Sequence, residues 1–301
     1  MTAAAPVVAP ERTSFGIALI VASFIGFAMS DAMAKWLGQG FSPVEIVFFR
    51  HLFGMLPAAA IVWRTGGWPA LRTGRPWQHA ARALLLFIAF LTFIWGLTGL
   101  PFAEAIAISF TAPLFITALS GPLLGEAVGI RRWSAVAVGF VGMLIMLRPG
   151  TDAFSLHAVL VLISALAFAL AMLLTRRMSR SESNAAMLVY TSLGGMLFCL
   201  PALPFVWQTP AGGDLWQFGF LGIVGGGAAY LMIAAHRHAP AVVLAPYVYT
   251  SLVWAAIVGW LVWREAPDSW GWLGAAVIVV AGIYIARREA RLGKTGTPQA
   301  R

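Results

Sequence analysis

Apolar stretches long enough to cross a bilayer recur along the whole chain, and they leave little choice of fold. A transmembrane helix needs roughly 20 mainly apolar residues. Ten such segments are legible, at Phe15–Leu37, Pro43–Trp63, Ala80–Gly99, Phe102–Leu124, Arg132–Leu147, Ala153–Leu174, Ala185–Trp207, Leu215–Ala235, Ala241–Trp263 and Ser269–Ala286. The fifth and tenth are short, and Arg50 and His51 interrupt the second. Of the 301 residues 60% are hydrophobic and 10% charged, whereas a soluble domain carries roughly a quarter charged residues to cover its surface. The expected fold is therefore an all-α polytopic membrane protein of ten transmembrane helices, with loops too short for a soluble domain. The glycines suit close helix packing, and Trp63, Trp68, Trp77, Trp207, Trp216, Trp263 and Trp270 fall near segment ends as an interfacial belt. The single cysteine, Cys199, excludes an internal disulfide and a cysteine metal cluster. Residues 1–14 read as a short polar tail without the n-region and cleavage site of a signal peptide.

The basic residues give a direction. With the N-terminus inside, the internal segments hold Arg12, Arg64, Arg72, Arg75, Arg82, Arg131, Arg132, Arg176, Arg177, Arg180, Arg237, Arg287, Arg288, Arg291, Lys294 and Arg301, most of the 20 basic residues. Lys35, Arg148 and Arg264 fall outside, and Arg50 lies within a span. This positive-inside bias puts both termini in the cytoplasm of a cell inner membrane and supports an even number of spans. It also accounts for the net charge of +9 through short juxtamembrane loops, leaving no basic face for nucleic acid.

The chain repeats. A shift of 139 positions sets Pro101 on Pro240, Thr111 on Thr250, Glu126 on Glu265, Trp133 on Trp272 and Arg148 on Arg287. A shift of 141 sets Phe27 on Phe168, Gly54 on Gly195 and Met55 on Met196, with Lys35 against Arg176. The expected division is a tail at 1–14, a first repeat at 15–150, a second at 151–287 and a tail at 288–301. Five spans per repeat is odd, so the second copy is inverted in the membrane, an arrangement that transporters use to open a cavity first to one side and then to the other.

The stretch Leu100–Phe115, then Leu-Leu-Gly-Glu126, Arg131-Arg-Trp and Gly139–Gly150, resembles the drug/metabolite transporter superfamily, specifically its EamA type. Ser30-Asp-Ala-Met-Ala-Lys35 and Phe48-Phe-Arg50 add to the likeness, which runs from about Phe15 to Arg288. It implies two EamA repeats around a central cavity lined mainly by the third, fourth, eighth and ninth spans. Members of this superfamily carry amino acids, S-adenosylmethionine, riboflavin and drugs, and the YddG-type exporters of aromatic and neutral amino acids are the subtype that the sequence most resembles.

Ionisable groups inside a bilayer are costly and usually face a partner or a cavity. Asp31 and Lys35 are four apart and can pair on one helix face. With Glu45, Glu104 and Arg50 they are expected to form a charge network in the outer half of the cavity. Two readings stand: Asp31 or Glu104 accepts a proton while Arg50 steers a substrate carboxylate, or the groups form a structural ion cluster. Glu126 and Glu265 read as caps on the helix that follows each of them.

Aromatic residues offer a binding wall. Phe87, Phe90, Ile94 and Trp95 share helical spacing in the third span, Tyr230 lies in the eighth, and Tyr249, Thr250 and Trp254 lie in the ninth. Ser109 and Thr111 flank Phe110 in the fourth. Such a wall packs an apolar group and leaves hydroxyls for its polar end, although aromatic stripes also serve packing and lipid contact. His79 is a further candidate contact, or an interfacial residue. Pro113 and Pro246 each remove a backbone hydrogen bond from a cavity helix and are hinge candidates, and Gly225–Gly227 permits packing or bending. Pro113 maps onto Leu252 under the repeat, so the two halves are expected to hinge differently.

Enzymatic readings find no support. Ala118-Leu-Ser-Gly121 is one residue short of a serine-protease GxSG and has no mid-span histidine beside it, His236–His238 lacks a further metal ligand, and Gly293-Lys-Thr295 lacks the glycine and strand of a P-loop. No metal or cofactor is expected. The partners are the lipid bilayer and a small-molecule substrate, with the oligomeric state open and a monomer among the options. The expectation is a secondary carrier working by alternating access, exporting aromatic or neutral amino acids, or alternatively taking up S-adenosylmethionine or riboflavin. An intramembrane enzyme or a non-transporting membrane protein is the minor alternative.

Overall fold

The computed structural model describes residues 10–64, 67–125, 129–148, 155–179, 181–239 and 241–294. Those residues form thirteen α-helices and one 3-10 turn. In chain order the helices are α1 (Pro10–Leu37), α2 (Pro43–Arg64), α3 (Pro76–Leu97), α4 (Phe102–Ser109), α5 (Ala112–Leu124), α6 (Ile130–Leu147) and α7 (Leu156–Met178). The chain continues with α8 (Asn184–Cys199), α9 (Leu203–Val206), α10 (Gly212–His238), α11 (Ala241–Val248), α12 (Thr250–Trp263) and α13 (Ser269–Lys294), while the 3-10 turn covers Trp68–Leu71 between α2 and α3. Six segments are long and apolar enough to cross a membrane, and four shorter apolar helices accompany them at Trp133–Leu147, Asn184–Cys199, Thr250–Trp263 and Ser269–Ile285.

Local chemistry sets the ends. Proline occupies the first turn of α3, where its missing N–H removes a donor that would have no partner. Ser155 and Ser183 cap α7 and α8 by accepting from Ala158 N at 3.3 Å and Ala186 N at 3.0 Å. The Asp214 carboxylate accepts from Ala211 N at 2.9 Å and starts α10 three residues before the expected Leu215. Helix α1 begins at Pro10, inside the expected tail, and α13 runs on to Lys294 past the expected end at Ala286. The expected seventh span stops as a helix at Cys199, because Pro201 and Pro204 cannot continue it and leave only the short α9. The repeat boundary at 150/151, and Glu126 and Pro240, lie outside the described residues, as does the side chain of Pro246.

The fourth and ninth expected spans are each broken, and at the same register. The breaks fall at Phe110–Thr111 and at Tyr249, related by the 139-residue shift. At each break a threonine hydroxyl turns back on the carbonyl three residues earlier, Thr111 to Ile108 O at 2.8 Å and Thr250 to Tyr247 O at 2.7 Å. The downstream halves then end on left-handed residues at matching positions, Gly125 (φ 70°) and Arg264 (φ 58°). The helix breaks thus fall at matching positions in the two halves, although Pro113 maps onto Leu252. Pro113 sits in the first turn of α5, where it interrupts no helical ladder, and the shared threonine marks the break in both halves.

Helices from the two halves of the sequence pack on each other as α1 with α10, α3 with α7, α2 with α8 and α6 with α13. Glycine makes each approach close. A Cβ on Gly26 would touch Ala228 Cβ at 3.0 Å. On Gly274 it would meet Gly142 O at 2.6 Å, and on Gly96 it would run into Val161. Helix α10 also packs along α2, and Gly222 sits against Phe53 and the Arg50 carbonyl while Gly226 faces the Pro57 ring. Gly225 and Gly226 thus serve close packing, with α10 unbroken through the run. We expect Gly222→Ala to lower thermal stability in detergent by about 1–3 kcal/mol through overpacking. Gly227 has open space around it, so Gly227→Ala should raise stability by up to about 1 kcal/mol through helix propensity. A melting curve of each variant checks the pair.

The fully buried centre includes Ile46, Ile94, Leu97, Phe102, Ile108 and Phe218, contributed by α2, α3, α4 and α10. Trp63, Trp68 and Trp77 stand 80% exposed or more, as an interfacial belt requires. Trp263 departs from the belt: it turns inward over Phe102 (5.8 Å between centroids) and lies under the Lys35 ammonium at 4.9 Å.

Candidate functional site

The charged residues separate into distinct sites instead of one network. Asp31 does not pair with Lys35. Its carboxylate, on α1, accepts from Arg50 Nη1, on α2, at 3.0 Å, with side chains only 16% and 10% exposed. Lys35, one turn further along α1, donates to Glu265 Oε2 at 2.5 Å and to Leu100 O at 2.8 Å. Glu265 in turn accepts from Phe102 N at 3.1 Å. It caps α4 from the opposite half, and not the helix that follows it. Glu45 accepts from Gln208 N at 2.7 Å and Ser42 N at 3.3 Å, tying the start of α2 to the segment after α9. Glu104 has Asp268 and Arg148 as its charged neighbours, and these two bridge each other at 2.7 Å.

Beside Arg50 the helices leave a cavity of about 190 Å³ lined by Phe27, Arg50, His51, Arg82, Phe90 and Thr191 among others. The Arg50 guanidinium lies 4.7 Å from the centroid of the Phe90 ring, a cation–π contact. Gly225 on α10 leaves the room: a Cβ there would come 2.8 Å from Ser30 Oγ and 3.7 Å from Arg50 Nη2. Ser30 Oγ donates to Leu221 O at 2.9 Å and fixes α1 against α10 beside the pair. His51 is 6% exposed, edge-on to Phe90 at 5.6 Å and pressed against Gly195, and its Nε2 has no hydrogen-bond partner among the described residues.

Arg82 completes the wall. Expected on the internal side near the start of the third span, it lies deeper along α3, which starts at Pro76, and is buried to 8% exposure. Nε donates to Thr175 Oγ1 at 2.5 Å, and Nη1 donates to Thr191 Oγ1 at 2.5 Å and Met187 O at 3.0 Å. A second cavity of about 290 Å³ adjoins the first through Ile61 and Leu188. It is lined by Arg64, Ser183, Asn184, Tyr230 and Arg237, at the ends of α2 and α10 and the start of α8.

The aromatic candidates divide. Phe90 is in the cavity wall and Tyr230 is in the outer cavity. Trp95 is 49% exposed and belongs to the outer surface, not to the site. Phe110 and Tyr249 stack on each other at 5.1 Å and 27° where α4–α5 and α11–α12 break. Ser109 Oγ donates to Ala105 O at 3.0 Å within its own helix, while Trp254 is partly buried with an indole nitrogen that has no partner among the described residues.

His79 lies outside the cavity. Its Nε2 donates to Glu182 Oε2 at 3.0 Å, and its ring rests on Tyr190 at 4.6 Å. Glu182 is in the turn between α7 and α8, and the His79 hydrogen bond is the main cause that holds its carboxyl below the ordinary value of 4.5, against a smaller opposing effect of burial. A lowered folded-state value means the pair's contribution is complete above pH 4.5 and is lost as pH falls through the folded value. Glu182→Gln should therefore flatten the acid limb of a melting-temperature profile and leave its shape above pH 5 unchanged (about half a unit past the carboxylate range).

A model of the EamA-like transporter family matches residues 14–148 and again residues 155–287. The chain belongs to the EamA-like transporter family. This EamA-like transporter is 31% identical over 276 residues to an S-adenosylmethionine uptake transporter of Rickettsia prowazekii (strain Madrid E), covering 92% of this chain and 94% of that one. It is 31% identical over 291 residues to a riboflavin transporter of Rhizobium johnstonii, covering 94% and 95%. A pseudopaline exporter of Pseudomonas aeruginosa is 27% identical over 278 residues, covering 91% and 96%. One crystal structure shares the fold with a TM-score of 0.62 at 20% identity, over 93% of this chain and 99% of the other. The EamA assignment thus stands, as does a multi-pass membrane transporter. The YddG-type subtype gains no support, since the relatives' names speak of S-adenosylmethionine and riboflavin.

Proposed function

We propose that this EamA-like transporter is an uptake carrier for a metabolite built on a fused aromatic ring, of the adenosyl or flavin class, and that it works by alternating access. The observation that carries the reading is the cavity itself. Arg50, held by Asp31, and Arg82 stand beside Phe90 and give the wall both polar anchors and an aromatic face, the combination that binds and orients a small organic solute. The relatives' names favour uptake of such a metabolite over export of aromatic or neutral amino acids.

Ten spans in two inverted halves fit the matched breaks at Phe110 and Tyr249, the matched helix ends at Gly125 and Arg264, and the reciprocal packing of α1 on α10 and α3 on α7. In this reading the inner-membrane protein keeps both termini in the cytoplasm. The Arg64–Arg237 cavity is the cytoplasmic vestibule, and Lys35, Glu265 and Trp263 close the other end. Purified protein in proteoliposomes, offered radiolabelled S-adenosylmethionine, riboflavin, phenylalanine and alanine with and without a pH gradient, tests it. Saturable movement of S-adenosylmethionine or riboflavin is the expected result. Movement of the amino acids alone would overturn the uptake reading and return the cargo to amino acids.

A further inference from the structure

Arg82 is a buried cation in the cavity wall whose contacts are all neutral. Its three hydrogen bonds go to two threonine hydroxyls and one backbone carbonyl. Among the described residues no carboxylate forms an ion pair with it: Asp31 is bound to Arg50, Glu182 to His79, Glu265 to Lys35 and Asp268 to Arg148. A guanidinium at this depth without a counter-charge is costly to hold. Structural need does not account for that cost. Thr175 Oγ1 already donates to Ala171 O at 2.7 Å, and Thr191 Oγ1 already donates to Met187 O at 2.6 Å, so none of the three acceptors depends on Arg82.

These bonds do something more specific. They draw on α7 and α8 to hold the guanidinium plane of an α3 residue in one orientation at the cavity. They use Nε–H and both Nη1–H, so the Nη2 amino group is left to make a charge-assisted hydrogen bond to a cargo carboxylate. Arg50 cannot play the same part, because Asp31 already takes its charge.

We propose that Arg82 is the binding site for a carboxylate on the cargo, so that the substrate class is an organic acid or zwitterion and not a neutral ring system. Within the function proposed above, on which this inference rests, that selects a carboxylate-bearing adenosyl compound over a flavin. The cargo places its carboxylate at Arg82, with the ring system toward Phe90.

The test compares S-adenosylmethionine with its decarboxylated form, which keeps the adenosyl, sulfonium and amine groups, in proteoliposomes of the full chain. The wild type should favour the acid in kcat/KM by roughly 10- to 100-fold, the weight of a charge-assisted hydrogen bond. Arg82→Met should bring the ratio close to one by losing transport of the acid, and Arg82→Lys should keep part of the preference, as a point charge without the fixed guanidinium plane. The melting temperature of ligand-free Arg82→Met should equal or exceed that of the wild type, while the upward shift produced by S-adenosylmethionine disappears. A wild type indifferent to the carboxylate, a preference that survives in Arg82→Met, transport of riboflavin in place of S-adenosylmethionine, or a destabilised ligand-free variant would each overturn the assignment and leave the transport reading intact. If no compound moves in the wild type, the transport reading fails and takes the assignment with it.

Discussion

Arg50→Met, with Asp31 left in place, is expected to be the most damaging single change in the cavity. The pair is nearly dry on both sides. Removing one partner strands the other as an uncompensated charge, at a cost of about 3–5 kcal/mol. The Asp31→Asn/Arg50→Met double variant removes both charges, so it should recover most of the lost thermal stability. Transport should stay abolished in both, because neither retains the polar anchor beside Phe90. Melting curves and initial uptake rates on the single and double variants separate the two effects. A double variant as unstable as the single would mean that Arg50 acts by its volume and not by its charge.

Next in size is an asymmetric pair of changes at the opposite end. Lys35 is 7% exposed in its side chain and Glu265 is 32% exposed. Glu265→Leu therefore leaves a buried ammonium unmatched and also uncaps Phe102 N at the start of α4, together costing about 3 kcal/mol or more. Lys35→Met leaves a carboxylate that reaches water and still caps α4, so its cost should stay near or below about 1 kcal/mol. The expected order of melting temperatures is wild type, then Lys35→Met, then Glu265→Leu well below. The reverse order would show that the lysine's contact with Leu100 O, and not the carboxylate, holds this end together. Uptake should fall in both, more steeply where the closure itself is lost.

Much of the architecture was legible because lipid imposes coarse rules. Length and apolarity located the helices, and the 139-residue register carried real geometry, matching Thr111 with Thr250 down to the direction of their hydroxyl bonds. Which charge meets which was not legible. Asp31 and Lys35 sit one turn apart, but spacing along one helix says nothing of what neighbouring helices offer, and Arg50 and Glu265 offered more. Arg82 was misplaced by two to four residues of uncertainty at a helix start. The Pro76 signal was present in the sequence, and reading the helix from there puts Arg82 two turns inside. Trp95 failed for a related reason: helical spacing groups residues on a face without saying whether that face looks inward.

The stack of Phe110 on Tyr249 has a mechanical meaning. These are the same residue of the two repeats, 139 positions apart, in contact with each other. In an object with a two-fold axis, two equivalent points touch only on the axis. Under the alternating-access proposal, a contact on the axis maps onto itself when the halves trade conformations, whereas Lys35–Glu265 has to be broken. In that proposal the broken helices meet at a fulcrum: both arms swing about it, the seals at either end open and close in turn, and the rings at the centre keep their place.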